Sequence, residues 1–73
     1  MENYKVTYYF SKEFYVTQIV EAASKEAAMR DVKGEKVVRF EDSKGILYEF
    51  DMSDVKLITV SEFKQPRVIA KPF

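Results

Sequence analysis

The chain contains no histidine and no cysteine. An imidazole base, a thiolate nucleophile, a disulfide and a Cys/His zinc site are therefore all excluded. Ser11, Ser24, Ser43, Ser53 and Ser61 have no histidine to activate them, and none sits in a nucleophile-elbow sequence. Glu41, Asp42, Glu49, Asp51 and Asp54 crowd one stretch of the chain. A calcium loop needs alternating oxygen ligands around a glycine, and Asp51-Met52-Ser53-Asp54 is too sparse to supply them. These acids read as a solvated rim that discourages strands from pairing edge to edge. With two glycines in all there is no phosphate-cradling loop. The expectation is a protein without enzymatic activity, cofactor or metal. What remains is aromatic: five tyrosines and six phenylalanines, with Tyr4, Tyr8, Tyr9, Phe10, Phe14 and Tyr15 all near the N-terminus.

The elements that must position these rings follow from periodicity. Tyr4, Val6, Tyr8 and Phe10 alternate with Lys5, Thr7 and Tyr9, the period-two pattern of a strand. Ser11-Lys12-Glu13 suits a hairpin loop. Phe14, Val16, Gln18 and Val20 then alternate with Tyr15, Thr17, Ile19 and Glu21. The spacing predicts strands over 3–10 and 14–22, paired as an antiparallel hairpin. Its core face is expected to use Tyr4, Tyr8, Phe10, Phe14 and Val16.

Ser24 is placed to cap a helix over 24–33, because its hydroxyl can accept a bond from an orphaned N–H of the first turn. Glu26 suits the positive end of the helix dipole, and Arg30 and Lys33 suit the negative end. Ala27, Ala28 and Met29 are strong helix formers, Ala28 and Val32 share a face, and Gly34 is expected to end the helix in the left-handed region. So short a helix requires a sheet to pack on. Strands are predicted over 36–41, 46–50 and 55–60, with Asp42-Ser43-Lys44-Gly45 as a turn and Asp51–Asp54 as an interruption.

The order is ββαβββ. The predicted class is α+β, a single small domain over 1–65 with an antiparallel sheet and one helix on one face. A ubiquitin-like grasp shares part of this order and is the alternative topology. Residues 66–73 form a tail between Pro66 and Pro72, prolines that do not suit a central strand. From Phe63 on, Lys64, Arg67 and Lys71 face no acid, and Val68, Ile69 and Phe73 are apolar. The tail reads either as a frayed terminus or as an arm that pairs with a sheet edge.

Seventy-three residues allow one domain, and a 47% hydrophobic composition sets the chain apart from disordered sequences. Twelve basic and twelve acidic side chains cancel, which argues against a general polyanion binder. No apolar stretch reaches the length of a membrane helix, no secretory leader pattern opens the chain, and disulfides are excluded; a cytoplasmic protein without membrane contact is the expectation.

Val20-Glu21-Ala22-Ala23-Ser24-Lys25-Glu26-Ala27-Ala28 resembles the V-x-A-x-S-x-E-x-A strand-to-helix junction of small uncharacterised bacteriophage accessory proteins. The resemblance spans nine of the 73 residues. It implies a class of role, binding a host protein or defence factor and inhibiting it, and attaches no functional residue.

One helix cannot cover both faces of the first hairpin, so Tyr9, Tyr15, Thr17 and Ile19 fall on a second face. One reading makes them half-exposed strand residues. The other makes them a contact surface, because tyrosine supplies large area at low entropy cost. The leading expectation is a protein-interaction module that binds a host protein through Tyr9, Tyr15, Thr17 and Ile19. A self-associating structural domain, for instance a homodimer, comes second. A single-stranded nucleic-acid binder stacking bases on these rings comes third. Lys5, Lys12 and Arg39 frame such a platform, but Glu13, Glu21, Glu41 and Glu49 share the same elements.

Overall fold

In the computed structural model, residues 2–63 are described, and everything turns on β1 (Glu2–Tyr9). Its alternation buries Tyr4, Val6 and Tyr8 on one side, with Val6 and Tyr8 wholly inaccessible. β1 is the middle strand of a three-stranded sheet, flanked by β2 (Tyr15–Ala22) and β5 (Leu57–Glu62), both antiparallel to it. The Ser11–Glu13 loop joins β1 to β2, closed by the Phe10 N–H donating to the Phe14 carbonyl at 2.9 Å.

The helix α1 (Lys25–Lys33) begins as its sequence requires. Ser24 Oγ accepts from the Ala27 N–H at 3.1 Å, Glu26 lies in the first turn, and Arg30 and Lys33 lie in the last. Its end differs from expectation. Gly34 is right-handed, with φ −79°, and its N–H is shared between the carbonyls of Arg30 (3.2 Å) and Asp31 (3.3 Å). The helix tightens rather than reversing, so no left-handed residue is needed.

β3 (Val37–Glu41) and β4 (Leu47–Asp51) form a separate antiparallel hairpin. Gly45 supplies the positive φ of its turn, +84°. Asp42 organises that turn: its Oδ1 accepts the N–H groups of Lys44 and Ile46, both at 2.9 Å, and its Oδ2 accepts the Tyr48 hydroxyl at 3.0 Å. A single 3-10 turn (Met52–Asp54) follows. The Lys56 N–H then donates to the Tyr9 carbonyl at 2.8 Å, which delivers β5 to β1 rather than to β4.

The fold is thus α+β with the order ββαβββ, as the sequence predicts, but its strands divide between two sheets. β5 runs antiparallel beside β1 and β3–β4 stand apart, which is not a single grasp sheet. The division has a packing cause: the helix is too short to roof the whole inner face. α1 closes one end, where Ala28 joins Tyr4 and Ala22. The hairpin closes the other, where Val38, Phe40 and Phe50 pack with Val6, Tyr8 and Val32. Ring contacts seal this second end. Tyr8 meets Phe50 edge-on at 4.9 Å, Phe10 meets Phe50 edge-on at 5.0 Å, and Phe40 stacks on Tyr48 at 4.9 Å.

Phe14, expected in the core, is 60% exposed. It lies just before β2 at the open end of the hairpin, and its ring leans on Phe10 at 5.2 Å instead of entering the core. The predicted tail over 66–73, and residues 64 and 65 before it, lie outside the described residues.

Val6→Ala is expected to destabilise the fold by about 2 kcal/mol in urea unfolding, because it empties a fully closed site. Leu47→Ala, on the solvent side of β4, is expected to change stability by less than about 0.5 kcal/mol. Equal effects would show that the inner face of β1 is not the core.

Candidate functional site

The alternation that buries Tyr4, Val6 and Tyr8 turns the odd-numbered residues of β1 to the opposite face. Register then aligns three rows across the sheet. Tyr15, Tyr9 and Leu57 form the first, Thr17, Thr7 and Thr59 the second, and Ile19, Lys5 and Ser61 the third. Among the described residues no secondary element packs on this face. Tyr15 (55%), Leu57 (54%) and Ile19 (45%) are the large apolar side chains it exposes.

The face has internal order. The Tyr9 and Tyr15 rings lean on one another with centroids 5.4 Å apart, a cross-strand pair of the kind that fixes side chains on a sheet. The Thr7 and Thr17 hydroxyls lie 3.5 Å apart, and Thr7, hemmed in at the centre of its row, is buried. The result is a ridge of two paired tyrosines and a leucine beside a threonine row.

All four residues named from the sequence, Tyr9, Tyr15, Thr17 and Ile19, therefore stand on one continuous face. Leu57 and Thr59 complete it and were missed. The alternation of Leu57, Thr59 and Ser61 against Ile58 and Val60 was visible, but no local signal places β5 beside β1.

Charge on this face is sparse. Lys5 is the cation within the three rows, and Glu21 follows on β2 beside Asn3. A nucleic-acid platform draws most of its affinity from phosphate neutralisation, and these rows provide little of it. Two of the acids elsewhere have structural partners: Glu49 meets Arg39 at 3.2 Å on the exposed side of β3–β4, and Asp42 holds its turn. Hydrogen bonds from its turn hold the Asp42 carboxyl below the usual carboxylate range, the Ile46 N–H foremost. Among the described residues no group of three or more acids could hold a metal ion. Ser24 and Ser11 are occupied as acceptors for the N–H groups of Ala27 and Phe14. No described helix is long and apolar enough to cross a membrane.

On the inner face, the Tyr8 hydroxyl donates to Gln18 Oε1 at 2.7 Å. Burial, with the nearby Glu35 carboxylate adding to it, pushes the Tyr8 hydroxyl up to about 12. Tyr8 is thus a neutral donor at physiological pH, tying β1 to β2 on the inner face.

Comparison with known proteins finds no family model, no curated protein and no solved structure that matches the chain.

Since the folded state holds the Tyr8 proton more tightly than the unfolded chain, its contribution is fully present below the unfolded value near 10.0 and is lost as pH rises toward about 12. Stability is expected to fall across that interval, and Tyr8→Phe is expected to flatten the decline in parallel unfolding titrations. An identical decline in both proteins would show that Tyr8 is not protonated by burial.

Proposed function

We propose that this chain is a non-enzymatic protein-interaction module that binds a partner protein through the open face of the three-stranded sheet. The observation that carries the reading is the Tyr15–Tyr9–Leu57 row. These residues add nothing to a core already closed from the other side, and they leave tyrosine and leucine surface in water. Interfaces are enriched in aromatic residues and depleted of charge at their centres, which is the composition of this row. The strand-to-helix junction adds the class of role, a phage-encoded inhibitor or modulator acting on a host protein in the cytoplasm.

Two tyrosines at the centre of such an interface act as anchors, each worth about 2 kcal/mol or more on truncation. Replacing Tyr9→Ala together with Tyr15→Ala is expected to weaken partner binding by at least about 30-fold. The fold is expected to survive. The test is affinity capture from host lysate, with and without nuclease, followed by titration of the recovered prey against both proteins. A stoichiometric protein prey that survives nuclease and is lost with the double variant supports the reading. Prey lost with nuclease, or a variant that unfolds, contradicts it. An empty capture with a mass near twice 8.6 kDa by light scattering makes the face a contact between two copies of the chain.

A further inference from the structure

The division into two sheets leaves β2 and β3 each with an outer edge. Among the described residues β2 pairs only with β1, and β3 only with β4. The bond from the Phe10 N–H to the Phe14 carbonyl marks a hydrogen-bonded pair. By alternation, Val16, Gln18 and Val20 share the ladder with β1, so the backbone groups of Tyr15, Thr17 and Ile19 point outward. On β3 the bonds from Asp42 N–H to the Ile46 carbonyl and from Met52 N–H to the Lys36 carbonyl set the same parity. The backbone groups of Val37, Arg39 and Glu41 therefore point away from β4.

A groove runs between these edges. One cavity of about 250 Å³ lies among Tyr8, Gln18, Asp31, Glu35, Val38 and Arg39. A second of about 340 Å³ lies between Thr17–Ile19 of β2 and Phe40–Ser43 of the hairpin, and Gln18 lines both. β2 has no proline, no lysine and an unbroken one-to-one register without a bulge, and its one charge, Glu21, lies near its far end. The groove walls are acidic. Asp31 and Glu35 stand at one end and Glu41 and Asp42 at the other, against Arg39, whose guanidinium is already engaged by Glu49.

We propose that this groove receives an extended, basic strand from a partner protein, which pairs with the free edge of β2 and sets its cationic side chains against the acids of α1 and β3. Main-chain pairing supplies affinity and the carboxylates select for lysine or arginine at alternate positions. This site is distinct from the open sheet face: β2 presents side chains to one and backbone to the other.

The test is a titration of the full, isotopically labelled chain with a short synthetic peptide alternating lysine and valine, followed by amide chemical shifts. The expected result is saturable shifts at Thr17, Ile19, Arg39 and Glu41, with no response to the same peptide carrying glutamate for lysine. Glu35→Lys and Glu41→Lys are each expected to weaken binding by about tenfold, while Leu47→Ala, which lines neither cavity, leaves it unchanged. Three results would overturn the proposal: no saturable shifts, equal binding of the glutamate peptide, or shifts confined to Tyr9 and Leu57. Pairing of β2 edges between two copies, seen as a doubled mass without peptide, would also overturn it.

Discussion

The structure depends on the alternation of one strand, β1. With Tyr4, Val6 and Tyr8 committed to a single side, the sheet has one face that must be roofed and one that must not be. Two small elements share the roof because neither is large enough alone, and their meeting line falls over Val6 and Tyr8. The buried Tyr8 carries its hydroxyl into this contact, and Gln18 satisfies it without leaving β2. Leaving such a donor unpaired costs about 1–3 kcal/mol.

Much of this was legible in the sequence because it is local. Period-two runs specify β1 through β4 to within a residue or two, and the Ser24 cap with its flanking charges specifies α1. What lay beyond the sequence was set by distance. Nothing near Leu57 says that β5 turns to β1, since the decisive contact is between Lys56 and Tyr9, far apart in the chain. The same reason hid the split into two sheets. Phe14 departs from expectation for a different cause: it keeps the alternation of β2 and lies against Phe10, but at the open end of the hairpin it stays 60% exposed. At the site, Tyr9, Tyr15, Thr17 and Ile19 were legible from parity alone, whereas Leu57 and Thr59 required the strand order.

The chemistry that the chain lacks and the surface that it displays agree. Ser24 serves the helix cap and Asp42 the hairpin turn, while Tyr15, Leu57 and Ile19 gather exposed apolar surface on one sheet face. β2 belongs to both candidate contact regions. Its odd-numbered side chains build the open face and their backbone groups line the groove beside β3. A single strand thereby presents two chemically different surfaces, one apolar and aromatic, the other hydrogen-bonding with acidic flanks.

The central claim is that β1 separates a closed tyrosine side from an open one. Photochemically induced nuclear polarisation of the tyrosines, recorded on the dilute full chain, tests this directly because a ring must meet a dye in solvent to respond. Tyr15 is predicted to polarise strongly and Tyr8 to stay silent. A silent Tyr15 in the monomer, or a responsive Tyr8, would contradict the assignment of the two faces and the interaction surface built on it.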